Sequence, residues 1–197
     1  LEIQLAYSTT NGRMVKNIAV TMRTPGHDDE LAAGFLYTEA IIKDHVSIQQ
    51  IDYVGGDNNR ILVTLKENII PDIEKMNRNF FASSSCGICG KASIDAIHIP
   101  EAFQRSNDQL RVDVKTLYHL QEKIKDDQHL FAETGGIHAC ALFNSHGNLQ
   151  LIREDVGRHN ALDKLIGAGL LSNQLPYNNH ILFLSGRAGF EMIQKAS

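Results

Sequence analysis

The last third of the chain restricts the fold most. "IHACALF" (137–143) and "LQLIRED" (149–155) read as strands around the turn "NSHGN". "HNALDKLIGAGLL" (159–171) reads as a helix, "HILFLS" (180–185) as a buried strand, and "GRAGFEMIQKA" (186–196) as the start of another helix. Strand, helix, strand, helix implies a parallel crossover and an α/β sheet. Parallel strands need a connection long enough to cross the sheet, and a helix supplies it.

The first part of the chain has a different grain. "EIQLAY" and "IAVTMRT" (18–24) read as strands joined at Asn11-Gly12. "PGHDDELAAGFLYTEAII" reads as a helix, punctuated by Pro25 and Gly26 and with acidic residues in its first turn. "IDYVGGDNNRILVTL" has the form of a hairpin with "GGDNN" as its turn. "VDVKTLYHLQEKIKDD" is the clearest amphipathic helix, with Val114, Leu117, Leu120 or Gln121, and Ile124 along one face. These segments divide the chain into an N-terminal α+β part (1–79), a cysteine loop with a short helix at "KASIDAIH" (80–99) and an α/β part (100–197). "PEAFQRSNDQLR" (100–111) is the best linker candidate, and the C-terminus reads as incomplete.

Composition narrows the function classes. The 197 residues suffice for a real core, and the net charge of −4 gives no bulk electrostatic case for binding nucleic acid. No run reaches the length of a membrane-spanning helix. Three cysteines are too few for a secreted disulfide scaffold, which places the chain in a reducing cytoplasm.

Two of those thiols, Cys86 and Cys89, form a C-x-x-C pair in "SSSCGICGKASI". A closed zinc site needs four ligands, and one such pair supplies two. Cys140, His138 or His159 could complete it only if the fold gathered them. A redox or otherwise reactive pair is the other reading. Gly87 and Gly90 allow the loop to swing, while Lys91 and a following helix start would stabilise a thiolate.

A second group lies in "LIREDVGRHNALDKLIG" (151–167). There Arg153, Glu154, Asp155, Arg158, His159, Asn160, Asp163 and Lys164 crowd a strand-to-helix junction around Gly157. Ligands bind at strand ends in open α/β sheets, and a helix start offers N–H groups to an anion. The bland alternative is a solvated helix face with ordinary ion pairs. "FLSGRAGF" (183–190) repeats the arrangement with Ser185, Gly186 and Arg187, and "TGGIHACAL" (134–142) sets Gly135 and Gly136 before His138. His27, Asp28, Asp29 and Glu30 read mainly as a favourably charged helix start.

Five motifs in order, "TMRTPGHDDELAAGFLYTEAII", "SSSCGICGKASI", "TGGIHACAL", "EDVGRHNALDKLIG" and "LSGRAGFEMIQKA", resemble the FdhD family of formate dehydrogenase accessory proteins. The resemblance runs from about residue 15 to the end of the chain. It implies a fold similar to the cytidine deaminases, an α/β/α sandwich with a mixed sheet, in a homodimeric cytoplasmic protein. It also implies a sulfur carrier that accepts persulfide sulfur from a cysteine desulfurase. The sulfur then passes to the molybdenum bis-guanine-dinucleotide cofactor that formate dehydrogenase requires.

By this resemblance Cys86 forms the persulfide and Cys89 assists. Gly135, Gly136, His138, Arg158, His159, Ser185, Gly186 and Arg187 then become candidates for holding the guanine-nucleotide part of the cofactor, with no tightly bound metal in the protein itself. The family usually continues beyond Ser197, and often has a small residue in place of Cys140, so that thiol inherits no role.

Two other classes compete. A zinc nucleobase deaminase needs H-x-E with a downstream P-C-x-x-C. The nearest match, His138-Ala139-Cys140, lacks the glutamate, and the cysteine pair lies upstream. A non-catalytic scaffold that binds the dehydrogenase or its cofactor remains the alternative to the carrier.

Overall fold

In a computed structural model of the chain, residues 1–72 and 110–197 are described. The Cys86–Cys89 loop, the helix expected at 91–98 and most of the expected linker lie outside them.

The N-terminal segment builds one sheet in the order β2-β1-β4-β3. β1 (Glu2–Thr9) and β2 (Gly12–Val20) form the expected hairpin, although β2 starts earlier than Ile18 and ends at Val20. β3 (Ile48–Tyr53) and β4 (Arg60–Leu65) form the second hairpin, and β1 pairs with β4 in parallel. α1 (Asp28–Thr38) crosses one face of this sheet, with its Ala32, Ala33 and Leu36 against Ile3, Leu5, Ile61 and Val63. It begins three residues after Pro25, because His27 is held in the left-handed region at φ 57°.

The second sheet has the order β6-β5-β7, from β5 (His138–Asn144), β6 (Leu149–Asp155) and β7 (His180–Leu184). The expected parallel crossover takes a particular form. β6 and β7 run the same way and are joined through α4 (Arg158–Leu171), but β5 lies between them and is antiparallel to both. The short Ser145–Asn148 turn obliges β5 and β6 to pair as a hairpin, which leaves β7 only the far side of β5. Among the described residues the parallel pairing therefore lies in the first sheet.

Helices cover both faces of the second sheet. α4 packs on one face, where Ala161, Leu162, Leu165 and Ile166 meet Cys140 and Leu142. α2 (Val114–Lys123) packs on the other, with Leu120 and the adjacent Ile124 against Ala141 and Phe143. Val114 and Leu117, expected on the same buried stripe, are 61% and 48% exposed, because α2 meets the sheet only through its C-terminal half. A short α3 (His129–Thr134) precedes β5, and α5 (Phe190–Ala196) follows β7. No helix among the described residues is long and apolar enough to cross a membrane.

The two halves join where α1 crosses α4. A Cβ at Gly34 would fall on the Asp163 carbonyl, and one at Gly167 on the Glu30 carbonyl. Both obstacles are backbone, so no side-chain rotation can relieve them. Gly167→Ala should lower unfolding stability by about 1–3 kcal/mol, the usual cost of overpacking a well-filled core, read as a reduced urea midpoint. An unchanged midpoint would mean that the helices separate without penalty.

Candidate functional site

Because β5 runs against β6 and β7, its first residue and their last residues share one edge of the sheet. His138 is paired with Asp155 across β5 and β6. On the other side the Ala139 N–H donates to Ser185 Oγ at 2.8 Å, and the Ser185 N–H donates to the Ala139 carbonyl at 3.0 Å. Gly186 then passes close to both neighbours. A Cβ there would lie 3.0 Å from His138 Nδ1 and 3.4 Å from the Arg158 Cβ. The fold thus gathers His138, Arg158, Ser185 and Gly186, which lie as much as 48 residues apart in sequence. His159 follows Arg158 in the first turn of α4, and Arg187 is exposed beside Gly186.

Two expected details differ. The helix after β7 begins at Phe190 rather than at Gly186, so residues 185–189 form a connecting turn. Gly135 takes the left-handed position that ends α3, its N–H donating to the Phe131 carbonyl at 2.8 Å, and Gly136 follows it, exposed.

The charged residues around Gly157 divide into two sets. Asp155, Asn160, Asp163 and Lys164 are buried, so the solvated-face alternative does not hold for them. One Asp155 oxygen accepts from the Gly157 N–H (2.9 Å) and from Asn160 Nδ2 (3.1 Å). The other accepts from the Thr24 N–H (3.0 Å) and pairs with Lys164 Nζ at 2.7 Å. Lys164 also donates to the Thr24 carbonyl at 2.8 Å, and Asn160 Nδ2 to the Met22 carbonyl at 2.8 Å. Asp155, Asn160 and Lys164 thus build the platform under the start of α4 and strap residues 22–24 to it, while Asp163 turns to Thr38 and Lys195.

Arg153 and Glu154 also serve the frame. Arg153 grips Glu30 of α1 with two donors, one at 2.7 Å. Glu154 accepts from the Leu130 and Phe131 N–H groups, which stabilises the start of α3. Asp28 is 2% exposed and accepts from Arg23 and from the Tyr53 hydroxyl, so more than a helix-start charge places it there.

Arg158 and His159 remain at the open edge. Burial lowers the His159 pKa, Arg158 and Lys195 lower it further, and Glu191, 3.3 Å away, acts the other way. A neutral imidazole there can accept or relay a proton, and the arginines offer donors to an anionic group.

Cys140, two residues along β5 from His138, is 1% exposed, and burial followed by the nearby Asp163 carboxylate pushes its thiol well above the ordinary range. It is a core residue in this fold. Among the described residues no group of three or more His, Cys, Asp and Glu side chains is placed to hold a metal ion.

Known proteins resemble this chain over most or all of its length. A sulfur carrier protein FdhD of Streptomyces avermitilis is 43% identical over 190 residues, covering 92% of this chain and 67% of that protein. The protein of the same name from Picrophilus torridus is 42% identical over 197 residues, all of this chain and 73% of that one. The crystal structure of a formate dehydrogenase accessory protein from Desulfotalea psychrophila matches with a TM-score of 0.57 at 23% identity. It covers all of this chain and 78% of that one, a likeness of fold. The profile of the FdhD/NarQ family spans residues 3–197. A match over nearly every residue, with relatives this similar across both sheets and the α1–α4 crossing, makes this chain a member of the FdhD/NarQ family.

Proposed function

We propose that this protein is a sulfur carrier serving formate dehydrogenase. The observation that carries the reading is the near-full-length identity to relatives that bear that name, in a chain with an intact C-x-x-C at Cys86 and Cys89. In this reading the Cys86 thiolate attacks the outer sulfur of a persulfide on a cysteine desulfurase. The S–S bond of the donor breaks, the desulfurase leaves as a thiolate, and Cys86 carries the sulfur as its own persulfide.

The acceptor is the molybdenum bis-guanine-dinucleotide cofactor, a substrate that visits the protein. Its pyrophosphates are anions, and the α4 start with Arg158, together with the exposed Arg187, suits them chemically. Gly186 keeps the edge open beside His138, with Ser185 and His159 alongside. The cytoplasmic setting, the homodimer and the cytidine-deaminase-like topology belong to the same proposal through the family resemblance.

The test is intact-protein mass after incubation with a cysteine desulfurase and cysteine. The expected product is added sulfur mass that a thiol reductant removes. Protein that gains no sulfur from an active desulfurase would favour the scaffold.

A further inference from the structure

His159 and Asp163 are four residues apart on α4, and Glu191 and Lys195 are four residues apart on α5. The structure pairs them in order, His159 Nε2 to Glu191 Oε2 at 3.3 Å and Lys195 Nζ to both Asp163 oxygens at 3.2 Å. Four residues is about one helical turn, so the pairs stand as successive rungs between two helices. Their polarity is opposite. α4 presents base then acid, and α5 presents acid then base. A slip of one turn would bring Glu191 against Asp163 and leave Lys195 without either partner.

The second rung is the more deeply set. The Lys195 and Asp163 side chains are 5% and 2% exposed. Lys195 also reaches Glu39 Oε1 at 2.8 Å and the Thr38 hydroxyl at 2.8 Å, at the end of α1, so one ammonium ties α5 to both central helices. Met192 and Lys195 are the buried residues of α5, so its hold on the rest of the fold rests on few side chains. Five residues connect β7 to α5, and they include Gly186, packed against His138 and Arg158. Wherever α5 sits, one end of that turn must follow.

We propose that this two-rung ladder sets the register of α5 on α4, and that Lys195 and Glu191 are thereby positioning residues for the Ser185–Arg187 turn of the candidate site. The nucleotide readout of the test rests on the function proposed above; the spectroscopic one does not. Amide NMR spectra and guanosine diphosphate titrations would be recorded for the wild type, Lys195→Met, Lys195→Arg and Glu191→Gln.

Lys195→Met is expected to move the Gly186 and Arg187 amide signals and to weaken the nucleotide roughly tenfold, as small misplacements of binding groups do. Lys195→Arg should restore much of both, and Glu191→Gln should move the same signals less. Gly186 and Arg187 signals and an affinity that stay as in the wild type, with only stability reduced, would overturn the proposal. Should Lys195→Met fail to fold, unchanged signals in Glu191→Gln would overturn it and shifted ones would support it. A wild type that binds no guanosine diphosphate would remove the nucleotide reading, and the amide signals would still decide the ladder.

Discussion

Replacing Cys86 with alanine should abolish sulfur loading by the desulfurase and the activation of formate dehydrogenase, while the protein stays folded. The loss should be complete because Cys140 cannot take over the first step and the proposed chemistry gives Cys89 only the second. Cys140 is sealed under α4 at 1% exposure, and burial keeps its thiol protonated at neutral pH, so it can neither reach a donor nor attack one. Cys89 is the remaining thiol. Its part in the proposed chemistry is attack on the inner sulfur of the Cys86 persulfide, which releases hydrosulfide to the acceptor. That step leaves a Cys86–Cys89 disulfide for a dithiol reductant to reopen. Cys89→Ala should therefore load normally and transfer more slowly. Intact mass reads the loading and dehydrogenase turnover reads the transfer. A Cys86→Ala protein that matured the dehydrogenase at the normal rate would replace the carrier with the scaffold.

Lys164→Met should be the most destabilising of the single substitutions considered, by about 3–5 kcal/mol, the usual cost of stranding one member of a buried ion pair. Asp155 and Lys164 side chains are 0% and 1% exposed, and methionine offers similar length with no charge. The Asp155 carboxylate would keep its donors from Thr24, Gly157 and Asn160, but it would lose the only full positive charge that touches it among the described residues. Against a typical domain stability of roughly 5–15 kcal/mol, such a loss is large enough to show as a much lower urea midpoint. The double variant Asp155→Asn, Lys164→Met should recover part of it, since the stranded charge is then gone. A drop below about 1 kcal/mol would mean that the pair behaves as an exposed one.

The elements themselves were legible along the chain. The second N-terminal hairpin, α1, the "NSHGN" hairpin, α4, β7 and α5 lie within a few residues of where turn signals and apolar spacing place them, while β2 starts six residues before the expected Ile18. These signals are local, because alternation, caps and glycine turns act through neighbours in sequence. The amphipathic stripe of α2 was legible, but how much of it is buried was not. That depends on where the second sheet ends, and only Leu120 and Ile124 reach it.

The candidate edge was half legible. His138, Arg158, Ser185 and Gly186 stand in motifs that announce themselves as strand ends. That β5 runs against its neighbours, and so brings His138 to the ends of β6 and β7, follows from pairing alone.

The charges of the "REDVGRHNALDK" stretch were hardest to read. In sequence Asp155, Arg158, Asp163 and Lys164 form one polar run. In the fold Asp155 and Lys164 are sealed together, Asp163 is bound to Lys195 across another helix, and Arg158 stays at the edge. The same is true of Gly34 and Gly167, ordinary helical glycines until α1 and α4 cross through them. Sequence by itself determined the segments and their chemistry. Tertiary structure decided which charges lost their water, because desolvation depends on what packs against a group from elements distant in the chain, and no local pattern carries that information.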